Sequence, residues 1–323
     1  MNYLTQYLIR HRHQHLQKLQ PLWSNYGSID KYQLNQQAVV IKSISAPDSK
    51  AHPRGWHTDI GHQRKLASYQ VEKSWYQYHQ GKQAIPYVMP ELIDFIAGAH
   101  EDEFSLVLSD LDDMGYSLRS ASGNIAQLKP MIVWLAKLHG YYLCSSISER
   151  PNINIWAQGN YWHLETRPEE FRSMAACPLK QHAQQISQKL TSCQYQTIIH
   201  GDAKIANFCL KRDLSQAVAV DFQYIGFGVG VTDLVYLLGS SLDGSQLAEH
   251  ASTLTEFYFE QLAASLKSSS INFIELRQQW RSLIPFAFAD FERFLAGWAP
   301  THSKRNSFTD DMVQQAITEL QHS

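Results

Sequence analysis

The clearest signal along this chain is a change in the spacing of its apolar positions. Between Tyr26 and Ile44, SIDKYQL and QAVVIKSI set β-branched and aromatic residues among polar ones, close to turn residues, and predict two strands. A polar, loop-like segment, APDSKAHPRGWHTDIGH, follows. Gln63 to His79 then carries Leu66, Tyr69 and Tyr76 at roughly helical spacing and predicts a helix. PYVMPELIDFIAGAHEDEFSLVLSDL predicts two more strands, ending near Leu108. Beyond Asp113 helices take over. Ala126 to Leu143 is the clearest, with Pro130 tolerable only in a first turn. From Val231 to the C-terminus the pattern is almost wholly helical. Within this half, two short apolar strands, NFCL and AVAVDF, flank the turn KRDLSQ.

That order predicts an α+β chain of two lobes: a small antiparallel-sheet lobe over residues 1–108, a connector at 109–113, and a larger, mainly helical lobe over 114–323. The first residues, MNYLTQYLIRHRHQHLQ, lack a long apolar stretch, so no secretory signal is expected there. His11, His13 and His15 read as a solvated helix rather than a metal site, since that spacing does not put all three on one helical face.

Composition narrows the classes. A chain of 323 residues with 44% hydrophobic and 18% charged residues is a folded globular protein with room for a large core. A net charge of -2 gives no field to draw nucleic acid or an anionic membrane, so neither is an expected partner. Cys144, Cys177, Cys193 and Cys209 form no C-x-x-C pair, which argues against zinc and a disulfide framework and for a reducing compartment. The longest apolar helix pattern, LIPFAFADFERFLAGW, is broken by Asp290, Glu292 and Arg293, so no membrane span is expected. A cytoplasmic protein is the reading, with nothing that bears on its oligomeric state.

Chemistry concentrates in TIIHGDAKIANFCL. Asp202 follows an apolar strand, Asn207 lies five residues on, and Asp221 ends the strand AVAVDF. Mg²⁺ takes hard oxygen ligands, usually one or two protein groups completed by phosphate oxygens and water. Asn207 and Asp221 can supply the protein groups, which leaves Asp202 to orient an attacking hydroxyl and accept its proton.

On H-G-D-x-x-x-x-N followed by an apolar strand ending V-D-F, the chain resembles the aminoglycoside phosphotransferase and choline kinase group of the protein-kinase-like fold. VDFQ and the later DLVYLL look most like its ecdysteroid-kinase-like branch. The resemblance implies Asp202 as catalytic residue, Asn207 and Asp221 as metal ligands, ATP as phosphoryl donor with Mg²⁺, and a small-molecule hydroxyl as acceptor. It also implies a phosphate-binding lysine on a strand, held by a glutamate on the next helix. Lys42 in QAVVIKSI fits the first, with a solvent-facing strand edge as the alternative. Glu72 fits the second, as the only acidic residue between Asp59 and Glu91. Lys204, two residues past Asp202, corresponds to a protein-kinase lysine that faces the transferred group; the alternative is a side chain in solvent. His200, His139 and Asp233 are expected to support the loop.

The pattern departs from the protein kinases at the glycine-rich loop. WSNYGSIDKYQL holds only Gly27, so Ser24, Asn25, Gly27 and Ser28 are the candidates to cradle phosphates. Arg54, His57 and His62 in HPRGWHTDIGH read as surface. Trp280, Phe286, Phe288, Phe291, Phe294 and Trp298 read as core before acceptor pocket, and Asp290 and Glu292 as a solvated face. No D-F-G…A-P-E activation segment is present, so a protein substrate is not expected. The expected activity is an ATP- and Mg²⁺-dependent small-molecule kinase; the alternative is a weak or inactive pseudokinase that binds nucleotide or a partner.

Overall fold

The structure, a computed structural model, describes residues 3–22, 25–46, 59–82, 85–120, 123–266 and 271–322. The candidates Ser24, Arg54 and His57 lie outside them. The chain divides into two compact units: Met1–Gln83 with Met89–Ser117, and Ala84–Val88 with Leu118–Ser323.

The first unit contains α1 (Tyr3–Arg10), β1 (Gln14–Pro21), β2 (Gly27–Leu34), β3 (Gln37–Ile44), α2 (Asp59–His79), β4 (Leu92–Ala97) and β5 (Phe104–Ser109). Its strands form one antiparallel sheet in the order β1-β2-β3-β5-β4. In β3 the two-residue period sends Val39 and Ile41 into a core with Leu8, Leu34, Ile96 and Val107. The same period turns Lys42 to the opposite face, where it is buried. α2 starts before Gln63 and buries Tyr69, Trp75 and Tyr76.

The solvated-helix reading of the histidine cluster is corrected here. α1 ends at Arg10, the backbone reverses through Arg12 at φ 46, and His15 lies on β1 with Nε2 3.1 Å from Asp30 Oδ1. All eight residues of β1 are exposed, so its sequence alternates no apolar face and carries no strand signal. Two register shifts against β2, together with Lys18 and Pro21, keep this edge from recruiting another strand.

The second unit contains β6 (Leu118–Arg119), α3 (Ile125–Tyr142), α4 (Pro168–Ser173), α5 (Pro178–Thr191), β7 (Thr197–Ile199), β8 (Phe208–Leu210), β9 (Ala217–Ala219), β10 (Gly226–Gly228), α6 (Val231–Ser241), α7 (Gly244–Ser265), α8 (Phe273–Ser282), α9 (Ile284–Trp298) and α10 (Ser307–His322). β6, β8 and β9 make a three-stranded sheet, and β7 pairs antiparallel with β10. Asn124 caps α3 by accepting a hydrogen bond from Ala126 N at 2.9 Å. Pro130 therefore sits beyond the first turn, contrary to the reading from sequence. It lacks the N–H that would bond the Ala126 carbonyl, and burial of its ring offsets part of that loss.

Most of the C-terminal aromatics are core: Trp280, Phe286, Phe288, Phe291 and Phe294 are buried, whereas Trp298 is 39% exposed. Asp290 and Glu292 are not a solvated face. Both are buried; Asp290 pairs with Arg293 at 2.9 Å, and Glu292 pairs with Arg305. A helical period shows which face is apolar but not which charges carry internal partners. Among the described residues, no helix is long and apolar enough to cross a membrane.

Candidate active site

The loop after β7 is built on its backbone. β7 is fully buried, and Thr197 Oγ1 donates to the His139 carbonyl at 2.7 Å. After the strand the chain turns through Gly201 at φ +77, where a Cβ would lie 2.0 Å from Tyr224 O and 2.6 Å from Asn160 N. Only glycine fits there. Asp233, in the first turn of α6, grips this turn: Oδ2 accepts from His200 N at 2.6 Å and Oδ1 from Gly201 N at 2.9 Å. His139 Nε2 lies 3.2 Å from Asp233 Oδ2, and its Nδ1 lies 2.8 Å from the Tyr258 hydroxyl. His200 Nδ1 accepts from Asp202 N at 3.2 Å while Nε2 meets Val220 O at 3.0 Å, a pattern the Nε2–H tautomer satisfies. These three residues have every polar group turned inward.

Asp202 is held differently. Its Oδ2 accepts from Lys204 Nζ at 3.0 Å and from Asn207 Nδ2 at 2.9 Å. Its Oδ1 is buried and has no hydrogen-bond partner among the described residues. Burial raises the Asp202 pKa above the ordinary carboxylate value; Lys204 opposes that shift and Asp221 adds to it. Burial also works to lower the Lys204 pKa, but the charges of Asp202 and Asp221 outweigh it and the net shift is upward. The result is a carboxylate with one oxygen fixed and one open.

Asn207 ends the 3-10 turn Ile205–Asn207, which leads directly into β8. Its Nδ2 donates to both Asp202 O (2.8 Å) and Asp202 Oδ2, so the amide is pinned by its nitrogen and presents its carbonyl oxygen. Asp221 follows β9 with φ 68, a left-handed conformation rare outside glycine. Gln223 Nε2 donates to Asp221 Oδ1. The Gln223 carbonyl in turn accepts from Trp156 Nε1 at 2.8 Å. The sequence reading quoted VDFQ and gave Gln223 no role; its signal was a long amide two residues from a carboxylate. No group of three or more His, Cys, Asp or Glu among the described residues could hold a metal alone. An amide oxygen and a carboxylate fit Mg²⁺ whose remaining positions are filled by phosphate oxygens and water.

In the first unit, Lys42 Nζ lies 2.6 Å from Glu72 Oε2, and both side chains are buried. Lys42 is therefore not on a solvent-facing edge. The turn before β2 places Asn25 at φ 60 and Gly27 at φ 133. A Cβ on Gly27 would meet Ser43 O at 1.9 Å, so this glycine lets β2 start against β3. Ser28 Oγ donates to Asp30 Oδ2 at 2.5 Å.

Residues 159–271, which include the Asp202 loop, β8 to β10 and α6, match the model of the ecdysteroid kinase-like family. No curated protein matches the chain. Among solved structures it is similar to a macrolide 2'-phosphotransferase type I, at 12% identity over 98% of this chain and 95% of that one, with a TM-score of 0.54. It is similar at 12% identity to a microcompartment-associated aminopropanol kinase, over 97% and 93% of the two chains, with a TM-score of 0.53. A putative aminoglycoside phosphotransferase from Ralstonia eutropha JMP134 follows at 11% identity, 98% and 94% coverage and a TM-score of 0.52. The chain thus has the protein-kinase-like fold in a mixed α+β form, and it resembles the aminoglycoside phosphotransferase group with an ecdysteroid kinase-like segment at residues 159–271.

Proposed function

We propose that this protein is an ATP- and Mg²⁺-dependent phosphotransferase whose acceptor is a hydroxyl of a small molecule. The observation that carries the reading is the division of Asp202: Oδ2 fixed by Asn207 and Lys204, Oδ1 buried and open. A hydroxyl donating to Oδ1 would be oriented for attack and would pass its proton there as its oxygen bonds to the γ-phosphorus. The bond from that phosphorus to the bridging oxygen breaks, and the electron pair leaves with ADP. Lys204 sets a cation beside the base, suited to charge spread over the transferred group. Asn207 and Asp221 are the residues for Mg²⁺, which when bound neutralises charge on the β- and γ-phosphates. Lys42, its rotamer held by Glu72, is assigned to the α- and β-phosphates. Catalysis of this kind is positioning plus electrostatics, with no covalent intermediate on the protein.

A second reading, a pseudokinase that binds nucleotide or a partner, draws on the first unit. Gly27 packs closely against Ser43, and the Ser28 hydroxyl is bonded to Asp30, which supports a weaker phosphate cradle. ADP release from Mg²⁺-ATP with choline, glucose, cholesterol or kanamycin as acceptor decides between the two. Turnover that disappears in Asp202→Ala is the expected result. Mg²⁺-ATP that raises Tm without any turnover supports the pseudokinase, and no Tm shift with no turnover removes both.

A further inference from the structure

We propose that Tyr161 and Tyr236 form a hydroxyl pair that positions the acceptor alcohol against Oδ1 of Asp202. The proposal rests on the phosphotransferase reading and adds two residues to it. Their hydroxyls lie 3.0 Å apart and their ring centroids 5.6 Å apart, at an interplanar angle of 66°.

Both are mounted on the backbone that carries Asp202. Tyr161 N donates to Gly201 O at 3.1 Å, and the Tyr161 carbonyl accepts from Arg167 Nε at 2.6 Å. Tyr236 lies one helical turn beyond Asp233, whose carboxylate grips Gly201 N. Each phenol is thus tied to the residue directly before Asp202, one from a loop and one from α6.

The surroundings make the hydroxyls expensive to keep. Tyr236 packs in the core with Trp162, Phe291 and Phe294, and Tyr161 packs against it. Two phenylalanines would fill the same space without desolvating two O–H groups. Burial, with the charge of Asp202 among the further causes, holds both phenols above their ordinary pKa, so both stay protonated donors. Two O–H groups hold two protons, and the bond between them uses one. The second, on Tyr236, faces the Asp202 carboxylate, and an acceptor's oxygen seated there can take it over while the acceptor gives its own proton to Oδ1. One lone pair of that oxygen is then held and another is free to attack the γ-phosphorus, with the bridging P–O bond breaking toward ADP as before. Neither tyrosine touches the transferred group, so both are positioning residues.

The test uses the full chain with Tyr161→Phe, Tyr236→Phe and the double variant. The acceptor is whichever of choline, glucose, cholesterol and kanamycin gives the fastest ADP release in the wild type. Each single variant is expected to lose about tenfold in kcat/KM for that alcohol, the scale of one hydrogen bond. The double variant should lose no more than the worse single one, because the two hydroxyls act as a unit. KM for ATP should stay within about twofold. The loss should fall on KM for the alcohol more than on kcat, as expected of groups that position the acceptor.

Phenylalanine variants equal to wild type, or losses that add in the double variant, overturn the pair. If a variant melts early, 3-fluorotyrosine at the same position keeps the shape and strengthens the donor. With its hydroxyl retained, that variant should keep kcat/KM for the alcohol within about twofold of wild type, and a loss as large as that of the phenylalanine variant overturns the proposal. A wild type that turns over none of the four alcohols and does not hydrolyse Mg²⁺-ATP removes the phosphotransferase reading and the pair with it. A wild type that turns over while its phenylalanine variants match it removes the pair alone.

Discussion

Two buried aspartates of the second unit, Asp233 and Asp202, sit at either side of one turn and are used in opposite ways. Asp233 has both oxygens satisfied, by the His200 and Gly201 backbone N–H groups and by His139. Asp202 has one oxygen satisfied and one open. The first arrangement stabilises the fold, because its donors would be stranded without it. The second is a liability to the fold and an asset to chemistry, since a desolvated carboxylate with an empty face is what a proton acceptor needs. The difference lies in the partners, for burial is nearly the same in both.

The sharpest break in this comparison is in stability. Asp233→Ala leaves two buried N–H groups and His139 without their acceptor, an expected loss of about 3 kcal/mol. In a unit of this size that lowers Tm by roughly 6–12 °C in a thermal melt. Asp202→Asn should melt at or above wild type, as it removes a buried charge. A Tm loss in Asp202→Asn equal to that of Asp233→Ala would erase the distinction.

Lys204 offers a smaller effect on the open side. Lys204→Met keeps the chain length and removes the cation from Oδ2 of Asp202. An expected drop of about tenfold in kcat, with the acid limb of the profile moved up in pH, follows from losing an opposite charge beside a carboxylate. Unchanged rates would place this lysine in solvent during the reaction.

The smallest effect is in how pH moves stability. The folded-state pKa of Asp202 is raised above 3.8, so between 3.8 and that raised value the folded chain binds more protons than the unfolded one. Its contribution to stability is therefore lost as pH rises through that window. The Tm advantage of Asp202→Asn over wild type should widen by a few degrees from pH 4 upward. An advantage that narrows would mean Asp202 is better solvated than its burial implies.

The open side was more legible in the sequence than the closed one. Asp202, Asn207 and Asp221 lie within a short motif and one hairpin, so spacing alone brings them into view. Asp233 and His139 were expected only through resemblance, since nothing local says that a helix in another part of the chain will grip a glycine turn. Tyr161 was missed because its partner Gly201 is reached only through the folded chain, whereas Gln223, two residues from Asp221, carried a local signal that went unread. The two-residue period exposed β3, whereas β1, solvated on both faces, offered no period to read. Buried charges misled for a related reason: Asp290 and Glu292 look like surface until Arg293 and Arg305 are placed against them.

The left-handed backbone at Asp221 leaves a trace on a longer timescale. An L-residue with a side chain there gives up about 1 kcal/mol that glycine would recover. A lineage that no longer used this carboxylate would recover that backbone cost with the first glycine to drift in, set against the loss of the acceptor that holds Gln223 Nε2. Keeping an aspartate at that φ is thus a standing thermodynamic sacrifice, renewed in every generation that retains it.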